Sequence, residues 1–407
     1  MENNGRTIED KDRVMKESNR VSGECPGLDF GTMLRRHPKA LETLLADRTR
    51  TAYEIGRALA EGRKPDRTQW NIVWGTDDYL AKHGEGFEKG DEIEVRKFTG
   101  VNAGVVVPRT MKDAEARKRR VKDRAEVFTP CWVCNAQNNL VDKAWFGRPG
   151  VFNVERDGGD GSHTWIPTEG RIAFSEEPSP ASTRSWVDYV RDVRLEITCG
   201  EAPYLASRQD PVTGEPISDT RSRIGLLDRK LRVVTENART EDEWLEWAEE
   251  AMKATYGFEW QGDSLLLARM SMLATVDDHH RSAFGTELDD ASVNRFAYIV
   301  SWNLCQMDGL RMVLPYSCSQ AGDDGNGGCP ACARGAMTGH VGIKCVIRDW
   351  RKGSSMDSPE GCDVVFESLL DGFDAGASGP KGGMRKGRGR TGRRKTAEST
   401  PATEDSE

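Results

Sequence analysis

The sequence predicts an α/β fold, a parallel sheet with helices on both faces and a ligand at the carboxyl ends of its strands. Three observations carry that expectation. Strand-like and helix-like stretches alternate between residues 124 and 310, as βαβ units require. Two strand-like stretches, VRLEITCGEAPYL (193–205) and YGFE (256–259), end where a ligand loop is wanted, one on a Cys-Gly turn and one on an acid. In the stretch after the second, Leu266, Leu267, Met270 and Leu273 share one helical face.

Composition bounds the rest. The 407 residues carry 58 Lys+Arg against 66 Asp+Glu, a net charge of -8, with 37% hydrophobic residues. That length holds one large domain with appendages or two domains, each able to bury a core. No apolar run approaches the ~20 residues of a spanning helix, and the start MENNGRTIEDKDR has no signal-peptide core, so a cytoplasmic location without membrane attachment is expected. Ten cysteines are too dilute for a disulfide scaffold, so clustered cysteines read first as metal ligands.

Residues 1–30 are polar and aperiodic and are expected to be disordered. Residues 31–122 read as an N-terminal helical and strand module. Leu34, Leu41, Leu44, Leu45, Ile55, Ala58 and Leu59 recur at helical steps, predicting two amphipathic helices between Met33 and Glu61. The run GVVVP (104–108) reads as a buried strand closed by Pro108. Arg109–Arg124 carries eight basic residues against three acids, a pattern of a solvated helix face or of phosphate contact. The Gly/Arg-rich stretch from residue 372 to 407 cannot form a core; it is read as a disordered tail that contacts nucleic-acid backbones or keeps the chain soluble.

Four segments then carry the chemistry. Phe128-Thr129-Pro130 leads into a helix, with Thr129 placed to cap it and Pro130 in its first turn. Gly200, in Cys199-Gly200, lets backbone approach a ligand closely. Glu259 closes the second strand, where a carboxylate accepts from both hydroxyls of a ribose. Asp308, in the turn Met307-Asp308-Gly309 after VNRFAYIVSWNLCQ, is placed to accept from an exocyclic amine of adenine.

In that order the segments resemble the adenine-N6 DNA methyltransferases of restriction-modification systems, described as the modification subunit (subunit M) of restriction endonucleases. The resemblance covers roughly residues 120–310. It implies a Rossmann-like S-adenosylmethionine methyltransferase sheet over residues 123–371, with S-adenosylmethionine as cofactor, DNA as partner and a restriction endonuclease or specificity subunit beside it. Phe128, Thr129 and Pro130 match the family's Phe-Thr-Pro helix, which packs on the methionine end of the cofactor. Glu196-Ile197-Thr198-Cys199-Gly200-Glu201-Ala202 retains the acid (Glu196), the Cys199-Gly200 pair and the small residue of the loop that wraps it. Glu259 and Asp308 match the acids that hold its ribose and its adenine.

The chain departs from the family at the fourth strand, where Asn/Asp-Pro-Pro-Tyr holds the target amine and stacks on a flipped base. The corresponding stretch, CDVVFESLLDG (362–372), lacks that motif. Glu201-Ala202-Pro203-Tyr204 is an acid-x-Pro-Tyr that offers a substitute, with Glu201, Pro203 and Tyr204 as the base-holding set; otherwise Pro203 and Tyr204 begin the next helix and pack on the sheet. The alternative to a transferring enzyme is a catalytically inactive cofactor- and DNA-binding module that works with a partner endonuclease subunit.

Past that sheet, Cys318, Cys329, Cys332, His340 and Cys345 crowd a Gly- and Asp-rich insertion (318–345) too small for its own core. Four of the five suffice for a tetrahedral structural zinc, with Cys329, Cys332 and Cys345 preferred and Cys318 or His340 fourth. Cys131-Trp-Val-Cys134 stands alone and reads as core packing. Asp277-Asp278-His279-His280 reads as a solvated helix end, since adjacent helix positions cannot converge on one ion. No Asp…Glu-x-Lys cluster suited to magnesium-dependent cleavage stands out.

Overall fold

The structure, a computed structural model, describes residues 29–112, 114–124, 129–159, 162–174, 184–318, 328–336, 338–351 and 360–370. Phe128, most of the N-terminal segment and the Gly/Arg-rich tail lie outside the described residues. Residues up to Glu367 form one compact unit; of the second, residues 368–407, only 368–370 are described.

The fold is mixed α/β with small sheets. Three helices open it: α1 (Phe30–Arg36), α2 (Pro38–Leu45) and α3 (Arg48–Ala60), where two were expected. Pro38 starts α2 with only His37 between it and the end of α1, and Asp47 caps α3 by accepting the Arg50 N–H at 2.9 Å. Met33, Leu41, Leu44 and Leu45 are buried in one core with Leu266 and Val300.

The stretch 70–107 runs mainly through turns and isolated bridges, and residues 104–108 form no strand. Val105 and Val106 are still buried; apolarity reported burial but not backbone pairing. Helix α4 (Ala114–Arg124) carries much of the basic run. Its Arg120, with Lys112 just upstream, is turned inward onto Asp263, so that part of the run is neither a solvated face nor open to phosphate.

Helix α5 (Cys131–Phe146) precedes the antiparallel pair β1 (Asn153–Asp157) and β2 (His163–Pro167). Pro130 flanks α5, but Thr129 does not cap it. The first N–H, that of Cys131, goes instead to Asp210 at 3.0 Å, an acid distant in sequence. Cys131 and Cys134 are buried, as core packing requires.

Helix α6 (Trp186–Arg191) leads into β3 (Arg194–Ile197), followed by α7 (Leu226–Asn237), α8 (Glu241–Lys253), β4 (Thr255–Glu259), α9 (Gly262–Phe284), α10 (Asp290–Asn303) and β5 (Leu304–Gln306). Strands β3, β4 and β5 form a three-stranded parallel sheet in that order, each joined to the next by a helix pair. The helix starts follow from local chemistry. Thr240 accepts the Glu243 N–H at 3.1 Å to begin α8, and Asp289 accepts the Ser292 N–H at 2.8 Å to begin α10. The first residue of α9 is glycine, Gly262, because a β-carbon there would lie 2.1 Å from the Val73 carbonyl oxygen.

Beyond the sheet, α11 (Pro330–Arg334) precedes β6 (Val346–Asp349) and β7 (Cys362–Val365), an antiparallel pair of their own. The stretch expected to supply a fourth parallel strand thus lies outside that sheet. It packs on one sheet face: Phe366 meets the Phe258 ring edge-on at 4.7 Å, and Tyr256 donates to the Arg348 carbonyl at 2.7 Å. Among the described residues no helix is long and apolar enough to cross a membrane.

Candidate functional site

The carboxyl ends of the three parallel strands converge. After β3 the chain turns through Thr198, Gly200 and Ala202, all in the left-handed region at φ 59°, 56° and 64°. That alternation, costly for Thr and Ala, makes a tight loop that directs the Gly200 N–H at Glu259. The Gly200 N–H donates to Glu259 Oε2 at 2.7 Å and the Gln261 N–H donates to Oε1 at 2.9 Å. The Met307 N–H donates to the Glu259 carbonyl at 3.0 Å, bringing the β5 turn alongside. Gly200, Glu259 and the Met307–Asp308 turn are therefore neighbours, held through the carboxylate and the carbonyl of Glu259.

All four non-glycine residues with left-handed backbone among the described residues lie in two loops here, Thr198 and Ala202 after β3, Met312 and Tyr316 after β5. Such strain persists only where surrounding structure over-determines it, and it collects at binding sites. Tyr316 reaches across to donate to the Gly75 carbonyl and meets the Trp260 ring edge-on at 5.2 Å.

Two carboxyls sit beneath the loop. Glu196 shares a sheet face with Gly257 and Glu259 by strand alternation. Burial, and then the neighbouring Glu259, push Glu196 well above the usual carboxylate range, against the Tyr204 N–H. Glu259 is raised too, by burial, although the Gln261 and Gly200 N–H groups oppose it. Glu196 Oε2 is sealed from solvent and has no hydrogen-bond partner. A buried, unpartnered carboxyl oxygen beside a second acid suits a cationic group. Cys199, buried below the same loop, has its thiol pushed well up by burial and by the two acids.

The remaining expected residues are placed as follows. Asp308 accepts from the N–H groups of Leu310 and Arg311, both at 3.0 Å, so its carboxylate closes its own turn, with Arg311 3.6 Å away. Glu201 accepts the Arg109 N–H at 2.8 Å. Pro203 and Tyr204 lie in turns, and the next α-helix starts only at Leu226, so they do not begin it. The Tyr204 phenol faces Thr129 and Cys134, and its carbonyl accepts from Asn138 at 3.0 Å. The Thr129-Pro130 end of α5 therefore abuts the loop after β3.

A second constellation lies in the insertion. One ligand atom from each of Cys318, Cys329, Cys332 and His340 falls within 4.8 Å of the others, a Cys3His group able to hold a metal ion. His340 Nε2 donates to the Ala336 carbonyl at 2.8 Å, which leaves Nδ1 as the ligating nitrogen, 3.5 Å from Cys329 Sγ and 3.3 Å from Cys332 Sγ. Backbone N–H groups of Val341 and Cys332 bring the Cys329 thiol down to about 6, the thiolate form a metal needs. Cys345, preferred from sequence, is not in the group. It stands just before β6, its N–H bound to the Met312 carbonyl and its thiol against Thr49.

Sequence reasoning overlooked the partners that fix these loops. Asp277, His279 and His280 are buried rather than solvated, and Asp278 binds Arg208 and Arg223. His279 pairs with Asp228, and Asp228 holds Ser207 behind the β3 loop. The four do not converge, as expected, because each faces a different element. Comparison with protein-family models, curated proteins and solved structures gives no match.

Proposed function

We propose that this chain is the S-adenosylmethionine-binding subunit of a DNA adenine-N6 modification system, on a Rossmann-like half-sheet, acting in the cytoplasm beside a restriction endonuclease or specificity subunit. The observation that carries the reading is the joining of Gly200, Glu259 and the Asp308 turn at the strand ends, over the unpartnered Glu196 oxygen. The residues fit the cofactor. Its ammonium and sulfonium are cations, and Glu196 and Glu259 supply buried carboxyls; when bound, it supplies an electrophilic methyl group. Glu259 retains lone pairs for ribose hydroxyls beyond those taken by Gly200 and Gln261. Thr129 and Pro130 flank the same loop through Tyr204, where the resemblance puts the methionine end.

The inactive-module form of this reading is the better supported. Glu201 is engaged by Arg109, Tyr204 faces α5, and β7 stands outside the parallel sheet without a Pro-Pro-Tyr motif. A base-holding element then comes from a partner subunit, while this chain binds cofactor and DNA. The Cys3His group is assigned to a structural zinc that braces residues 318–340. Equilibrium binding of labelled S-adenosylmethionine, followed by a methyl-transfer assay on unmodified duplex, tests both parts. Binding without transfer is expected of the chain alone. Transfer by the chain alone, abolished in Tyr204→Ala with binding intact, would instead make Glu201, Pro203 and Tyr204 catalytic, and absence of binding would end the cofactor reading.

A further inference from the structure

A cleft of about 330 Å3 opens at the far end of α9 from the strand-end site, and three arginines and three hydroxyl residues are among those that line it. Arg171 follows β2, Arg221 lies in the loop before α7, and Arg232 projects from α7; Thr220, Thr235 and Ser282 add hydroxyls. We propose that this cleft is a phosphate-binding site, an assignment independent of the cofactor reading.

Charge arrangement carries the inference. The Arg221 and Arg232 guanidiniums donate to the same two carbonyl oxygens, Thr168 (3.2 and 2.7 Å) and Gly170 (both 3.3 Å), so two like charges are held side by side. Arg171, the residue after Gly170, adds a third and is tethered to Asn237. Only one carboxylate lines the cleft, that of Glu236, and it is used up: Oε1 takes Arg232 Nε at 2.8 Å and Oε2 takes the Ile172 N–H at 2.6 Å. Nearby Asp219 is spent on the Arg221 N–H and the Ser222 hydroxyl. His279, in the wall, is paired with Asp228.

Arg171 and Arg221 thus contribute charge without a carboxylate partner, and each guanidinium has five donors of which Arg221 spends one nitrogen on carbonyls. Neighbouring guanidiniums, two of them with spare N–H donors, together with hydroxyls in the same lining match the oxygens and charge of a phosphate group. Carbonyl tethers hold the planes in place before a ligand arrives, which lowers the entropy cost of binding. The phosphate can belong to a nucleic-acid backbone or to a free phosphorylated molecule; the chemistry at the cleft is the same.

The test uses the full chain, with pyrophosphate as one probe and a fluorescent 20-base-pair duplex as the other. Arg171 and Arg221 are both exposed, so the double variant Arg171→Gln/Arg221→Gln should fold, with unchanged thermal unfolding in the absence of ligand as the check. Pyrophosphate is expected to raise the melting temperature of the native chain and not that of the variant, while Arg171→Lys/Arg221→Lys keeps part of the response. If the phosphate is that of a nucleic-acid backbone, the Gln variant also binds duplex about tenfold more weakly, with a salt dependence shallower by one or two phosphate contacts. If it is that of a free molecule, duplex binding is unchanged and only the pyrophosphate response is lost. The proposal is overturned if the native chain responds to neither probe, or if the Gln variant responds to both as the native chain does.

Discussion

Replacing Glu196 with Gln should move stability and cofactor affinity in opposite directions. In the native chain the Glu196 carboxyl is held well above its ordinary pKa by burial and by Glu259, and Oε2 has no partner. An acid with a raised pKa stays protonated in the fold while the unfolded chain ionises. Glu196 is therefore mostly protonated in both native and unfolded states at pH 4, and the cost to the fold grows as pH rises above the ordinary value of 4.5 until the folded-state pKa is reached. Each unit of displacement is worth about 1.4 kcal/mol. Removing a buried acid that lacks a cation should stabilise the protein by about 1–3 kcal/mol at pH 8 and by almost nothing at pH 4. The native carboxyl can release its proton when a cation docks beside it, whereas the amide cannot ionise, so the variant has no charged acceptor to offer the ammonium or sulfonium of S-adenosylmethionine. Loss of one charge-assisted contact of about 1.5–3 kcal/mol weakens binding about 10- to 150-fold. Thermal unfolding followed by circular dichroism from pH 4 to 8, with calorimetric titration at pH 7.5, measures both. A variant that is less stable than the native chain at pH 8, or that binds cofactor equally well, would refute the reasoning.

Two further perturbations probe the surroundings. Stripping the metal with a strong chelator, or Cys332→Ser, should abolish one bound zinc per chain by native mass spectrometry. Because Leu314 and Cys345 main-chain bonds tie the loop after β5 to the insertion, hydrogen exchange at 308–318 should accelerate, with about 4 kcal/mol of local stability lost if metal is present at ~1,000 times its Kd; unchanged exchange would separate the metal from that loop. Asp263 accepts from Tyr79 at 2.6 Å, Lys112 at 3.2 Å and Arg120 at 2.5 Å; burial raises its carboxyl, but the Arg120 and Lys112 cations outweigh that and hold it far below the usual range. Its contribution is therefore present above the ordinary carboxylate pKa and lost as pH falls below it, so Asp263→Asn should cost about 3–5 kcal/mol at pH 7 and progressively less toward pH 2. A cost that stays constant with pH would show that packing, not charge, is what the aspartate provides.

What was legible in the sequence follows from how local each signal is. The strands ending at Ile197 and Glu259 and the long helix after Gly262 were readable because apolar patterning and breaker residues act within a few positions. The Cys3His group was partly readable from spacing, but Cys345 looked equivalent to its neighbours; only the fold turns its thiol toward Thr49 and away from the other four ligands. The inward turn of Lys112 and Arg120 could not be read from a basic run, because Asp263, which attracts them, is about 150 residues away in sequence. Thr198 and Ala202 carried no signal at all, since neither residue type favours a left-handed backbone. The cap of α5 was misassigned for a related reason: Thr129 is the local candidate, yet Asp210 reaches the helix from a distant loop.

The most direct measurement is the structure of the chain crystallised with S-adenosylmethionine. The account predicts a nucleoside across the carboxyl ends of β3, β4 and β5, with Glu259 within hydrogen-bond distance of both ribose hydroxyls and the ammonium on Glu196. Cofactor bound anywhere else, or a pocket in which Glu196 stays unpartnered with ligand in place, would contradict it.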